Sequence, residues 1–510
     1  MPGFKQNDEM TYIPNKYVSE NTFIGSTEKP AVPPKYEDIR DKLPKPIFDG
    51  HDDYIKCYDY TWKTAFGNLH QPKDGTGFVS SFIDAAFNGC IFMWDCSFIT
   101  MFTKYAEGVF PFQKTLDNFY SHQHRDGFIS REIEEDTGLE HFTRYDPSST
   151  GPNILAWSEM QYYDNMHDGE RLARVYPALR AFHNWMRENR TWRDGSYFSS
   201  GWGCGMDNVP RFRCESEDTF GYECQFSHGH MVWVDICLEQ LLNCDILIRM
   251  NEILGGSDDV SDLIEERERL SSLVNDILWD DGDGFYFDQW RNGELNHVKH
   301  IGAYWALVAD IVPKERLKKF LAHLEKPSEF CRPNAVPTLS ADHPMYAPDG
   351  YYWRGGVWAP TTYMVLCGLE KQGEDRLRYE IADKFLRNVV EVYNKTGTLW
   401  ENYKPDSAEP GIPARPEFVG WTGLAPISIF FEHVLGIRAN VAENTIIWDA
   451  NRTERHGIER YPFGKDSTVD LICEARASDE EEPIITVRSD KPVTVVVKWN
   501  GREKVIQRLK

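Results

Sequence analysis

The sequence predicts an all-α main body, built as a double-layered helical barrel, followed by a small all-β tail. Three observations carry this reading. Five short glycine turns recur along the chain: Asp126-Gly127-Phe128-Ile129, Asp194-Gly195-Ser196-Tyr197-Phe198, Asp283-Gly284-Phe285-Tyr286-Phe287, Asp349-Gly350-Tyr351-Tyr352-Trp353 and Thr396-Gly397-Thr398-Leu399-Trp400. Each sets a glycine able to take a positive φ before aromatic or β-branched residues suited to a short strand. The intervals of about 45 to 90 residues hold a pair of helices and their connection. Next, amphipathic helical stretches alternate with almost wholly apolar ones, as outer helices with one wet face and inner helices with hardly any should. Finally, after about Arg438 the periodicity turns from helical to β.

Residues 1–50 are rich in proline and charge, as in Lys29-Pro30-Ala31-Val32-Pro33-Pro34-Lys35, and read as an arm laid over the body. Residues 51–438 form the barrel. From Asp52, Tyr54, Cys57, Tyr58 and Trp62 share one helical face. The stretch 169–190 places Leu172, Val175, Leu179 and Phe182 at helical spacing, and 231–250 does so with Val234, Leu238, Leu241, Leu242 and Ile246. The stretches 257–278 and 374–393 follow the same pattern, and 302–312 is nearly all apolar, as a buried inner helix would be. Residues 439–510 form the tail, with strands at 445–448, 469–473, 484–487 and 493–498. Asn500-Gly501 provides a hairpin turn.

With 510 residues, 41% of them hydrophobic, the chain can bury a large core. It has no apolar run of about 18 residues, so no membrane span is expected. The polar start, Met1 to Asp8, lacks the apolar stretch of a secretory signal and points to the cytoplasm. Eleven cysteines are spread without a CxxC pair, and Cys90, Cys96, Cys204 and Cys214 read as reduced structural thiols. A net charge of −24 argues against nucleic acid or an anionic membrane as partner. An aromatic content of 14%, including 16 tryptophans, suits a small carbohydrate, whose C–H faces stack on flat rings.

The densest segment for chemistry is 199–211, Ser-Ser-Gly-Trp-Gly-Cys-Gly-Met-Asp-Asn-Val-Pro-Arg. Its glycines let the backbone approach a ligand and present Asp207 beside Trp202, Met206 and Arg211. A desolvated carboxyl there would keep its proton as a general acid; the plainer alternative is a turn aspartate that caps the next segment. Glu401, between aromatic residues at a strand end, suits a base that activates water, or a salt bridge to a loop arginine. Glu417 is the rival base. Trp94-Asp95 sits among aromatics and could clamp a sugar, while Arg131, Asn153, Arg211, Arg354 and Trp358 could supply hydroxyl ligands and a stacking platform. His228-Gly229-His230 and Asp281-Gly282-Asp283-Gly284 lack the further ligands of a zinc or calcium site, so no metal is expected.

These motifs resemble the inverting (α/α)6-barrel glycoside hydrolases, the group of trehalases, processing α-glucosidases and mannosylglycerate hydrolases, and within it glycoside hydrolase family 63. The segment 201–211 is similar to the group's acid loop, with Asp207 at the acid. Residues 352–360, Tyr-Trp-Arg-Gly-Gly-Val-Trp-Ala-Pro, resemble its tryptophan and Trp-x-Pro signature around the first sugar subsite. Trp400-Glu401-Asn402-Tyr403 resembles the Glu-x-Tyr base segment, which favours Glu401 over Glu417. Residues 92–98 resemble the early Trp-Asp signature, and 147–157 stand where another substrate loop falls. The likeness covers about Asp52 to Arg438. It departs from trehalases in the Gly203-Cys204-Gly205 insertion and in lacking a Gly-Gly-Arg-Phe signature.

The resemblance implies an exo-acting, inverting hydrolase of a small α-glucoside, α-mannoside or glycosylglycerate, with Asp207 as acid and Glu401 as base. Trp94, Asp95, Trp353 and Trp358 would hold the terminal sugar, and no cofactor is needed. The two carboxyls of such a pair stand about 6.5–9.5 Å apart, leaving room for water. A sugar epimerase or isomerase on a helical barrel and a non-catalytic carbohydrate-binding protein are the alternatives.

Overall fold

The computed structural model describes residues 3–5, 13–84, 87–212 and 226–508; Cys214 and most of the Met1–Asp8 segment lie outside the described residues. Outer and inner helices alternate. The outer ones are α1 (Asp52–Gly67), a short pair of turns ending in α3 (Asp117–Ser121), α5 (Gly169–Asn189), α7 (Ser261–Ile277), α9 (Lys314–Glu325) and α11 (Asp375–Thr396). The inner ones are α2 (Met93–Thr103), α4 (Leu155–Met166), α6 (Val234–Ile253), α8 (Trp305–Val308, entered through the 3-10 turn Ile301–Tyr304), α10 (Ala359–Lys371) and a final helix, the 3-10 turn Trp421–Leu424 running into the π-helix Ala425–Val434. The inner helices pack side by side in chain order, and the last returns to α2, closing an (α/α)6 barrel.

Burial follows composition. Every residue of α2 is buried, since Met-Trp-Asp-Cys-Ser-Phe-Ile-Thr-Met-Phe-Thr offers no wet face. In α7, by contrast, Leu263, Glu266, Leu270 and Val274 form one buried stripe. No helix of the described residues is long and apolar enough to cross a membrane.

The five glycines all take positive φ, from +72° at Gly284 to +98° at Gly127. All lie in the connections that run from an outer helix to the next inner one: 122–154, 190–233, 278–300, 326–358 and 397–420. The reverse connections, such as 167–168, 309–313 and 372–374, are short. Long loops therefore gather where the inner helices begin.

Local departures from the sequence reading have physical causes. After Gly350 no strand forms, because Tyr351 and Tyr352 themselves hold φ of +30° and +66°. The 231–250 stretch opens with the two-residue strand Met231–Val232 before α6. The 302–312 stretch is helical only to Val308.

The tail forms two four-stranded sheets. One contains β2 (Ile437–Asn440), β3 (Thr445–Asp449), β7 (Val493–Trp499) and β8 (Arg502–Arg508); Asn500 and Gly501, both at positive φ, turn β7 into β8. The other contains β4 (His456–Pro462), β5 (Thr468–Cys473), β6 (Ile485–Ser489) and, from the N-terminal arm, β1 (Lys45–Phe48). β1 pairs antiparallel with β4, Lys45 facing Glu459 and Phe48 facing His456. Ion pairs fasten the tail to α11. Asp449 meets Arg378 at 2.5 Å and Arg438 at 2.6 Å, and Arg452 meets Asp383 at 3.0 Å.

Candidate active site

The long connections enclose a cavity of about 570 Å³ at the mouth of the barrel. Its apolar wall is tryptophan. Trp353 lies flat on Trp358, with centroids 3.9 Å apart and planes 1° from parallel. Trp94 stands 5.6 Å from Trp353 and 5.8 Å from Trp421. The acid-bearing loop reaches this wall through Gly205. A Cβ there would sit 2.4 Å from the Trp94 ring, and the residue's φ is +76°, so glycine is required twice over.

Four carboxyls line the cavity: Asp95 in the first turn of α2, Glu132 on the 122–154 connection, Asp207 on the 190–233 connection and Glu401 on 397–420. Burial pushes Asp95 well above the usual carboxylate range, Arg131 opposing it. Burial likewise lifts Asp207 to about 7, against the pull of Arg131 and with the help of the negative charge on Glu401. Glu401 is also raised by burial, but hydrogen bonds hold it back. The Tyr352 hydroxyl donates to Oε1 at 3.0 Å, and the Arg415 backbone N–H donates to Oε2 at 3.2 Å. Trp421 Nε1 donates to the Glu401 carbonyl at 3.1 Å, fixing the backbone beneath.

Arg131 is held by its neighbours. Its Nη1 donates to the Trp202 carbonyl at 2.9 Å, its Nε pairs with Glu132 at 3.1 Å, and Phe92, Phe142 and Trp202 pack around the guanidinium. Glu132 in turn accepts from His141 Nδ1 at 2.6 Å. That hydrogen bond raises the His141 pKa, with Glu134 adding to it.

Asp207, Glu401, Trp94, Asp95, Arg131, Trp202 and Trp353 thus line one cavity. Five other predicted residues do not. Arg211 is buried with its fork on Asp288, at 2.9 and 2.8 Å, and on Asp235; it is a strut between the acid loop and α6, not a sugar ligand. Trp358 backs Trp353 and never reaches the cavity surface. Arg354 lies over Tyr351, and its Nε donates to the Asn208 carbonyl at 3.3 Å. The Asn153 side chain is buried before α4, and Gly151 and Pro152 line the wall in its place. Glu417 is exposed at φ +56°, outside the cavity.

The sequence reading passed over Tyr352, Arg415 and Trp421 as site residues, although Tyr352 adjoins Trp353 and Arg415 lies two residues before Glu417. His141 carried no local signal at all.

Among the described residues, one group has metal-like composition: His183, Cys244 and Glu266, between α5, α6 and α7. Glu266 there accepts from His183 at 3.0 Å and from the Tyr197 hydroxyl, and pairs with Arg187 at 3.4 Å. The guanidinium already supplies the positive charge that a metal ion would bring. The nine described cysteines are all free.

Comparison with known proteins agrees with this architecture. An uncharacterized protein of Borreliella burgdorferi is 24% identical over 388 residues, 73% of this chain and 77% of that one. A mannosylglycerate hydrolase of Rubrobacter radiotolerans is 25% identical over 170 residues, 32% of this chain and 36% of the hydrolase. The crystal structure of the family 63 mannosylglycerate hydrolase from Thermus thermophilus in complex with glucose superposes with a TM-score of 0.57 at 21% identity, over 72% of this chain and 99% of that one, a likeness of fold. The family of mannosylglycerate hydrolase MGH1-like glycoside hydrolase domains matches residues 94–422, the span that holds all four carboxyls of the cavity, and the chain belongs to that family.

Proposed function

We propose that this protein is an inverting, exo-acting glycoside hydrolase of a small α-linked glucoside or mannoside, glycosylglycerates included, with Asp207 as general acid and Glu401 as general base. One observation carries the assignment. Two carboxyls in one enclosed, tryptophan-walled cavity have environments that push them apart: Asp207 keeps a proton to about pH 7, while hydrogen bonds favour the anion of Glu401.

Asp207 protonates the glycosidic oxygen as the bond to the anomeric carbon breaks. Glu401 takes a proton from the water that attacks the opposite face. Trp94 and Trp353 stack against the terminal sugar, and Asp95 accepts or donates to its hydroxyls. The choice of a glycosylglycerate among the substrates draws on the named relatives.

Proton NMR of the wild-type enzyme on α-linked disaccharides, mannosylglycerate and glucosylglycerate tests the assignment. The expected product is a sugar released first in the β configuration. An α-configured first product would overturn the role of Glu401. Unchanged turnover in Asp207→Asn would overturn that of Asp207.

A further inference from the structure

We propose that Asn208, the residue after Asp207, is a positioning residue that ties the acid to the base; the proposal rests on the acid–base reading above. Its side chain is buried, with 1% exposure. Nδ2 donates to the Tyr351 carbonyl at 2.9 Å, and Oδ1 accepts the Trp353 backbone N–H at 2.8 Å. The Asn208 carbonyl accepts from Arg354 Nε at 3.3 Å. Three hydrogen bonds from one residue therefore join the 190–233 connection to the 351–354 turn.

That turn is an improbable object by itself. Gly350, Tyr351 and Tyr352 follow one another at φ of +95°, +30° and +66°, a conformation that two non-glycine residues keep only where their surroundings over-determine it. Further ties come from its own connection, Thr338 Oγ1 to the Trp353 carbonyl at 2.9 Å and Gly356 N–H to the Tyr352 carbonyl at 3.1 Å, and from the last connection, where the Ile412 N–H donates to the Asp349 carbonyl at 2.9 Å. Asn208 adds the direct tie between this turn and the residue next to Asp207.

The strained turn does two things for the site. It aims the Tyr352 hydroxyl at Glu401, and it sets the Trp353 ring on Trp358. A continuous path of covalent and hydrogen bonds thus runs from Asp207 through Asn208 and the turn to Tyr352 and Glu401. An inverting pair must hold its spacing to a fraction of an ångström. Asn208 can satisfy both a donor and an acceptor requirement with one planar amide, which neither serine nor aspartate can do over the same span.

The test is Asn208→Ala, with Asn208→Ser as the variant to use if alanine fails to fold, assayed on the parent glycoside and on the matching α-glycosyl fluoride. Fluoride departs without a proton from the enzyme, so its turnover is insensitive to where the acid stands. A freed acid loop misplaces Asp207 and admits water to it. The kcat on the glycoside is expected to fall about a hundredfold, with KM changed far less and fluoride hydrolysis losing about tenfold or less. As the burial that raises Asp207 is relieved, the basic limb of kcat/KM moves to lower pH. An unchanged limb with equal losses on both substrates, or no loss at all, would overturn the proposal. Asp207→Asn is the control. If it is inactive on the glycoside while Asn208→Ala is normal, only this inference fails; if it is fully active, the acid assignment fails first.

Discussion

Asp207 and Glu401 are chemically ordinary carboxyls made different by what surrounds them. As the acid, Asp207 must be protonated, so activity falls as pH rises through about 7. As the base, Glu401 must be ionised, so activity falls as pH drops through its raised pKa. The Tyr352 hydroxyl stabilises the ionised form. Tyr352→Phe is expected to shift the acidic limb of the pH–rate profile upward and to lower kcat about tenfold, leaving the basic limb in place. A stability effect follows as well. The folded state holds the Asp207 proton more tightly than the unfolded chain does, so ionising it costs stability as pH rises above the usual carboxylate range, in full above about 7. Asp207→Asn removes that cost. Thermal melts should show a gain on the order of 4 kcal/mol at pH 8 and little of it at pH 4, even as activity is lost.

At the scale of elements, the glycine turns show how one sequence pattern meets different surroundings. Gly397 caps α11 at φ +75° with open space where a Cβ would go, whereas a Cβ on Gly127 would lie 2.5 Å from the Ala181 carbonyl oxygen. Gly397→Ala should cost about 1 kcal/mol in urea unfolding, the cost of the left-handed backbone alone, and Gly127→Ala considerably more. These turns were legible because a glycine before aromatics is a strong local signal. So were the outer helices α1, α5, α7 and α11, whose wet and dry faces impose a period. The inner helices α2, α4 and α10 escaped, because a segment buried all round has no face to alternate. The site divides the same way. Asp207, Glu401 and Trp94 stood in dense local segments, but nothing local distinguishes Arg211, which braces Asp288, from an arginine that would meet a sugar. Nor can sequence show that Glu417 turns out to solvent while Glu401 turns in; that depends on how the last connection folds over the barrel.

The whole molecule is held by charges as well as by packing where tail meets barrel. Asp449 is shared by Arg378 and Arg438, both largely buried. Asp449→Ala leaves two guanidinium groups short of a partner inside the protein. It should cost about 3 kcal/mol or more in urea unfolding, far above the value of an exposed pair such as Arg376–Glu380. The arm adds a second kind of closure. Lys45 and Glu459, opposed across β1 and β4, are 414 residues apart in the chain. At ribosomal speed, the arm emerges roughly 20 to 80 s before its partner strand exists. During that time it carries an unpaired edge, which its prolines and charges keep from joining anything else. A segment made long before its partner strand is therefore among the last to be satisfied, and the barrel must close without it.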